Sequence, residues 1–449
     1  MSIRSSLAIN AGRFTKWALT TFTSGGSSLP GKIALTIDPQ VLKHLADNYK
    51  VIIVSGTNGK TLTTSLIVQI LRQKYENVLT NPTGANLNQG IISTFLSHTP
   101  SKNGQPNIAV LEVDEATIVH VTKYIKPELF VFTNIFRDQM DRFGEIYTTY
   151  QMMLDGVAQA PQAVVLANGD APIFNSKEIS NKQLFYGFDH EADQELMAHY
   201  NTDGVLCPHC HQILHYKSIT YSNLGKYYCP NGDFERPDLD YAVTSIDSLS
   251  LTDSHFKMDG HDFSIPIGGL YNVYNALAAY SVGRYFNIDP ETIQKGFDAS
   301  KRVFGRQEVF TIGDKDVMIN LIKNPVGFNQ IVQLLSYEKE PFALAVLLND
   351  NYADGQDISW IWDGDFEQLH ELQPSKTIIG GIRVDDLGVR MEVAGFDDSI
   401  EKVSNNQELI QLLKNAPSQK INILATYTAL LDLRKDLAKE GFIKEGMNG

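Results

Sequence analysis

The chain has 449 residues, is 43% apolar and 20% charged, and carries a formal charge of −14. That length suits two or three ordinary domains, and the acidity argues against broad nucleic-acid binding, which needs clustered Lys and Arg along the phosphate backbone. No apolar run is long enough to suggest a transmembrane helix.

Residues 1–40 read as an N-terminal helical segment with Arg4, Arg13 and Lys16 but no acid before Asp38. It lacks the continuous apolar core of a secretory signal. Leu7, Phe14, Trp17 and Phe22 leave two readings open: an amphipathic helix that touches a membrane surface or a lipid-linked substrate, or an ordinary helix packed on its own domain. Residues 24–32, rich in Ser, Gly and Pro, read as a loop. Val51–Val54 then reads as a short buried strand, followed by a Gly-rich turn and a helix from about Thr61 to Lys74. Further strands are expected at Ile108–Val113, Leu129–Thr133 and Ala163–Ala167, with helical patterns between them. This alternation predicts a largely parallel α/β sheet with polar clusters just past its strand ends, where open α/β sheets bind ligands.

From about 200 to 237 the chain turns rich in Tyr, His, Cys and Gly and reads as a small insertion. The α/β pattern resumes with a helix at about Asn272–Tyr285, a hinge at 301–310 and a second α/β pattern with strands at Ala343–Leu348, Thr377–Ile379 and Ile421–Leu424. The expected division is a helical segment over 1–40, an ATP-binding central domain over 41–305 and a C-terminal α/β domain over 310–449. The three cysteines, Cys207, Cys210 and Cys229, all lie in the insertion. Such clustering fits a reducing, cytoplasmic setting better than a disulfide framework.

The strongest chemical signal is Ser55-Gly56-Thr57-Asn58-Gly59-Lys60-Thr61, placed between a strand and a helix. Glycines let the backbone approach phosphates, and the helix N-terminus offers free N–H groups. Lys60 is suited to the β/γ-phosphates and the Thr61 hydroxyl to Mg²⁺. Val54 stands where the general P-loop pattern has Gly. The alternative of a chance Gly-rich turn fits the strand–loop–helix context poorly.

Gly-Thr-Asn-Gly-Lys-Thr resembles the ATP loop of the Mur ligases and folylpolyglutamate synthases, and further matches follow in order over roughly residues 40–310. By that resemblance Glu112, in Glu-Val-Asp-Glu-Ala, is the strand-end Mg²⁺ carboxylate. Thr133-Asn134 with Asp138 resembles the family's Thr-Asn…Asp-His segment, and Asn168-Gly-Asp170 its Asn-x-Asp strand end. Asn272 and Asn275 resemble its His-Asn-x-x-Asn helix, and Arg306 its hinge arginine. The resemblance thus implies that Gly56–Thr61, Asn134, Asn272 and Arg306 bind the nucleotide. It implies the Mur-ligase fold: a P-loop central domain with a parallel sheet, a Cys-rich ribbon insertion and a C-terminal α/β domain. Two positions depart from the family: Gln139 stands in place of its metal-binding His, and Leu154 lies near its carbamylated Lys. The second Mg²⁺ site is therefore expected to be altered or absent.

In the C-terminal part, Lys323–Gly327, Asn349–Trp360 and Ala425–Ala429 resemble the MurT family, the Mur-ligase-like subunits of lipid II isoglutaminyl synthase. That resemblance implies ATP-dependent amidation of the α-carboxylate of D-glutamate in lipid II through an acyl phosphate. Ammonia would come from a GatD-like glutaminase partner. None of the three cysteines follows a strand as a nucleophile would, so this chain is not expected to be its own glutaminase. Asp350, Asp354 and Asp357 have two readings: one of them completes the partner's glutaminase triad, or all are turn-forming loop acids around Gly355. Trp360 and Trp362 read as core or interface anchors.

Cys207-Pro-His-Cys210, eighteen residues, then Cys229-Pro-Asn-Gly232 is close to the zinc-ribbon pattern that MurT relatives carry, with Gly232 at the fourth ligand position. His209, His211, His215 or Asp233 could stand in, or the ribbon has lost its metal. Two rivals to the amidating reading remain. One is a stand-alone ligase joining an amino acid to a carboxylate, which the missing UDP-sugar-binding domain disfavours. The other is a catalytically silent ATP-binding scaffold for a glutaminase.

Overall fold

The structure is a computed structural model that describes residues 3–22, 28–82, 84–102, 104–137, 146–189, 196–198, 202, 204–300, 307–396 and 400–444. The central sheet begins with β1 (Tyr49–Ser55), β2 (Val78–Thr80), β3 (Asn107–Glu112), β4 (Leu129–Phe132), β5 (Val164–Asn168) and β6 (Gln183–Phe188), all parallel. These strands read as near-continuous apolar runs because helices cover both faces. All six residues of β3 and all four of β4 are buried.

After β6 the chain builds a separate antiparallel sheet from β7 (Leu196–Met197), β8 (His215–Tyr221) and β9 (Leu224–Tyr228). It then returns to the central sheet as β10 (Tyr241–Leu249), β11 (Ser254–Met258) and β12 (His261–Ile265). The nine strands lie in the order β12-β11-β10-β6-β5-β4-β1-β3-β2, with only β11 and β12 antiparallel to their neighbours. The chain crosses from β3 on one side of β1 to β4 on the other. Such a reversal opens a crevice at the strand ends.

A second sheet is made of β13 (Glu308–Ile312), β14 (Lys315–Leu321), β15 (Phe342–Leu347), β16 (Lys376–Gly380), β17 (Glu401–Lys402) and β18 (Lys420–Ala425). Its order is β13-β14-β18-β15-β16-β17, and β13 alone is antiparallel. Two apolar clusters cover its faces, one around Ile319, Ile423 and Leu433 and the other around Phe328, Leu344 and Leu387.

The loop expected over residues 24–32 is corrected at its end, where Leu29–Ile37 is a helix. Pro30 sits in its first turn, where a missing N–H costs nothing, so the Pro-Gly pair starts this helix. Gly31 serves contact rather than turning: a Cβ there would stand 1.9 Å from the Gln89 carbonyl oxygen, and its N–H donates to Ser93 Oγ at 2.8 Å. This helix and the helix Ile3–Phe22 pack on the helix Asn88–Leu96. Among the described residues no helix is long and apolar enough to cross a membrane.

Candidate active site

The loop between β1 and the helix Lys60–Arg72 is held from three directions. Gly56 and Gly59 take φ of 134° and 83°, conformations that favour glycine. Both are also hemmed in: a Cβ on Gly56 would stand 2.3 Å from Thr133 Oγ1, and one on Gly59 2.1 Å from Asn275 Oδ1. The segment after β4 grips the loop backbone. Thr57 N donates to Asn134 O at 2.8 Å, and Asn58 N to Asn134 Oδ1 at 2.8 Å. Thr133 Oγ1 and Asn134 Nδ2 both donate to Asn58 O, at 2.9 and 3.1 Å. The Thr57 hydroxyl accepts from Phe136 N at 3.0 Å. Asn134 thus positions the loop.

The helix Leu270–Tyr285 closes the second side. Asn272 Nδ2 donates to Gly268 O at 2.7 Å, Asn275 Nδ2 to Asn272 Oδ1 at 3.1 Å, and Thr63 Oγ1 to Asn275 Oδ1 at 3.1 Å. This chain of amides locks the loop's helix to its neighbour, and Asn272 and Asn275 also line the cleft beyond.

The third side is the C-terminal sheet. Asn58 and Asn324 exchange amide hydrogen bonds, Asn58 Nδ2 to Asn324 Oδ1 at 3.4 Å and Asn324 Nδ2 to Asn58 Oδ1 at 3.1 Å. Between the two sheets runs a narrow cleft lined by Leu62, Tyr271, Asn320, Gln330 and Ile331, with a cavity of ≈ 50 Å³. Asn320 Nδ2 and Gln330 Oε1 are buried in its wall without a hydrogen-bond partner among the described residues. Gln307, within the expected hinge, donates from Nε2 to Gly268 O at 2.6 Å and from its backbone N to Asn320 Oδ1 at 3.1 Å, tying the two halves together.

Lys60 begins its helix and folds its ammonium back over the loop, donating to Gly56 O and to Thr57 O. It also pairs with Glu115, Nζ to Oε1 at 3.2 Å. Burial by itself raises the Glu115 pKa, but the Lys60 charge and hydrogen bonds outweigh it and hold the carboxyl below the ordinary glutamate range. Glu112 is buried at the end of β3, in register with Val54, and its backbone is pinned by Asn81 at 2.9 Å. The described residues give the Glu112 carboxylate and the Thr61 hydroxyl no hydrogen bond. A strand-end carboxylate and a helix-start hydroxyl left in this way suit a hard divalent cation.

Several positions read from the sequence sit elsewhere. Asp170 is fully buried, accepting from Arg236 Nη1 at 2.9 Å, Phe188 N at 2.7 Å and Tyr274 OH at 2.7 Å. Burial pushes its pKa up despite Arg236. Asn168 bonds Thr133 O at 3.1 Å, so this strand end props the loop's neighbour. Leu154 is a buried core residue of the helix Ile146–Ala158. Arg306, Asp138 and Gln139 lie outside the described residues.

The three aspartates after β15 are divided by their surroundings. Asp354 is buried and accepts from Thr428 N, Thr428 Oγ1 and Asn351 N at 2.7, 2.6 and 3.1 Å. Asp350 Oδ2 pairs with Arg383 Nε at 2.7 Å. Asp357 is exposed; its Oδ1 accepts from Ser359 N at 2.8 Å in an Asx turn, and its Oδ2 has no partner among the described residues. Trp360 packs near Phe328, whereas Trp362 is 52% exposed and Tyr352 74%.

Cys207, Cys210 and Cys229 converge, their sulfurs all within 4.8 Å of one another and the Cys210–Cys229 pair at 3.4 Å. A tetrahedral zinc with bonds of about 2.3 Å spaces its sulfurs about 3.8 Å apart, so the three thiols fit that ion. Among the described residues no His, Asp or Glu joins them as a fourth ligand. His209 and His215 instead lie against Phe234 and Tyr228.

Comparison with known proteins agrees with this geometry. A family model described as Mur ligase middle domain matches residues 54–283, and one described as MurT ligase C-terminal matches residues 321–430. The chain is 49% identical, over 100% of both sequences, to the lipid II isoglutaminyl synthase (glutamine-hydrolyzing) subunit MurT of Streptococcus pneumoniae. Among solved structures it is similar to a pseudomurein peptide ligase type C from Methanothermus fervidus, with a TM-score of 0.67, 20% identity and coverage of 90% of this chain and 81% of that one. It is similar also to the MurF ligase of Thermotoga maritima in complex with ADP, with a TM-score of 0.62, 14% identity and coverage of 94% and 86%. Identity at that level over the whole length, joined to both family matches, means that the chain belongs to the MurT family of Mur-ligase-like proteins.

Proposed function

We propose that this chain is the ATP-dependent subunit of a lipid II amidating ligase, converting the α-carboxylate of D-glutamate in the stem peptide to an amide with ammonia from a GatD-like glutaminase. The observation that carries the reading is the Gly56–Thr61 loop facing a second α/β unit across a cleft, in a chain so close to a lipid II isoglutaminyl synthase subunit. One of the fold neighbours, a MurF ligase, was solved in complex with ADP.

In this mechanism the ATP phosphates lie over the loop. Lys60 gives up the Gly56 and Thr57 carbonyls and turns its charge to the β/γ-phosphates as the γ-phosphoryl passes to the substrate carboxylate. Thr61 and Glu112 would hold Mg²⁺, which neutralises phosphate charge when bound. The base lies against Leu62, Tyr271 and Ile331, with Asn320 Nδ2 offered as donor and Gln330 Oε1 as acceptor. A nucleotide needs a pocket of about 300 Å³ or more, so the cleft widens for loading, and closing again keeps water from the acyl phosphate. Ammonia then attacks the acyl carbon and phosphate leaves, giving amide and ADP.

Asp357 is the aspartate best placed to orient the partner's histidine, because it is exposed and keeps one oxygen free. The exposed Tyr352 and Trp362 on the same segment support a partner-facing surface. The three thiols would hold a structural zinc. The setting is the cytoplasm, at the inner face of the membrane where lipid II is presented.

The test is ADP release by the purified chain with Mg-ATP, lipid II and ammonium chloride, with mass spectrometry of the lipid II. The expected result is ATP-dependent replacement of a hydroxyl by an amino group, lost in Lys60→Ala. Nucleotide binding with neither ADP nor amide formed, even with a glutaminase partner present, would show a scaffold instead.

A further inference from the structure

The helix Ile3–Phe22 is built inside out. Its inward face is made mostly of small residues: Ser5, Ala8 and Gly12 are buried together with Ile9. A Cβ on Gly12 would stand 2.5 Å from Leu96 Cδ1 and 3.2 Å from Ala34 Cβ. The large apolar side chains point the other way, with Ile3, Leu7, Phe14 and Trp17 exposed by 83, 59, 66 and 55%. At 3.6 residues per turn these four fall within an arc of roughly 80°, with Arg4 and Arg13 at its two edges. The Phe14 and Trp17 rings lie 5.6 Å apart and form one continuous patch.

A helix needed only for packing on its own domain would turn its largest apolar residues inward. Here the inward face of small residues is already closed against the helices Leu29–Ile37 and Asn88–Leu96, so the outer stripe serves something beyond this fold. Charge selects the occupant. In a chain of net charge −14, this helix carries Arg4, Arg13 and Lys16, the next adds Lys32, and no acid occurs before Asp38. Trp, Phe and Leu on one stripe with arginines at its edges match helices that lie in the headgroup layer of anionic bilayers.

We propose that the helix Ile3–Phe22 lies flat on an anionic lipid bilayer, with Ile3, Leu7, Phe14 and Trp17 at the acyl boundary and Arg13 against lipid phosphates, while Arg4 is held by the Ile37 carbonyl. A single helix of this kind gives reversible attachment. The inference rests on the helix alone and not on the amidation reading.

The experiment is co-sedimentation of the full chain, without nucleotide, with vesicles of phosphatidylglycerol and phosphatidylcholine, paired with tryptophan emission. The wild-type chain is expected to pellet with these vesicles and shift its emission to the blue. It should bind at least about tenfold more weakly to phosphatidylcholine alone or in high salt, where the charge attraction is missing or screened. Phe14→Glu/Trp17→Glu is expected to stay in the supernatant with unchanged melting, because both positions are solvent-facing. Leu7→Lys is the second variant, should that pair disturb folding, and Arg13→Glu tests the charge separately. A wild-type chain that never pellets overturns the proposal, as does equal binding by Leu7→Lys and Phe14→Glu/Trp17→Glu. Concentration-dependent dimerisation abolished by the same substitutions overturns it too, assigning the stripe to a second copy. These vesicles hold no lipid II, so failure here leaves the amidation assay untouched.

Discussion

Asn58 in the Gly56–Thr61 loop and Asn324 at the start of the helix Pro325–Leu335 hold each other by two amide hydrogen bonds, across 266 residues of sequence. Asn324 has a second duty as N-cap, its Oδ1 accepting from Gly327 N at 2.7 Å. The loop that would meet the phosphates is therefore bonded directly to the unit that would move for a nucleotide to enter in the proposed mechanism.

The two duties separate by substitution. Asn324→Ala loses both, and the missing cap costs about 1 kcal/mol, read as a lower melting temperature. Asn324→Asp keeps the cap oxygen but cannot donate to Asn58, so it should melt near the wild type. Both variants should raise the KM for ATP several-fold. Unchanged kinetics in Asn324→Asp would reduce the amide pair to a passive contact.

Lys60→Ala should abolish ADP formation and also destabilise the fold, because it strands buried Glu115. Breaking a buried pair in this way costs about 3–5 kcal/mol. Adding Glu115→Gln should restore much of the melting temperature while activity stays at background, which divides the structural role of Lys60 from its catalytic one.

The same pair sets an acid limit. Glu115 is held below its ordinary pKa, so its stabilising contribution is present above the unfolded value of about 4.3 and is lost as pH falls through the lower folded value. Glu115→Gln should flatten the melting temperature below that point compared with the wild type. An identical acid profile in the two proteins would exclude the pair as its source.

Asp357→Asn should cut glutamine-dependent amidation by at least about 100-fold in the assembled complex while ammonia-dependent amidation is unchanged. Asp354→Asn should instead lower the melting temperature, since Asp354 accepts three hydrogen bonds in the loop. Equal behaviour of the two substitutions in both assays would remove the case for Asp357.

Elemental analysis should find about one zinc per chain, lost together with several degrees of melting temperature on chelation or in Cys229→Ser. Gly232→Cys supplies a fourth thiol at a φ of 78°, with no atom of the described residues beyond its chain neighbours within 4 Å of its new Cβ. Despite the backbone strain of about 1–2 kcal/mol it should hold zinc more tightly than the wild type.

Much of this arrangement was legible from the chain. The parallel strands announce themselves as apolar runs, and the loop by its glycines followed by Lys60 and Thr61. What stayed hidden depends on proximity rather than pattern. Glu115 stands three residues beyond Glu112 in a motif already singled out, yet its link to Lys60 needs the turn after β3 to bring it back over the loop. Asn320, Asn324 and Gln330 acquire meaning only once the second sheet docks. The choice among Asp350, Asp354 and Asp357 rests on burial and on Arg383 and Thr428, which lie far along the chain. Pro30-Gly31 misled because the same dipeptide that ends elements elsewhere here starts one.

The cysteine-bearing sheet is keyed into the central one. Arg236 bonds Asp170 from just beyond β9, and Gly225 N donates to Asp170 O at 3.0 Å. Asp170 stands two residues after Asn168, which supports the Thr133 that grips the loop. Evolution therefore cannot trim this module as a spare ornament. A relative that deletes it must also neutralise Asp170 or bring another cation to that spot, so the acid and the module should be gained and lost together across the family.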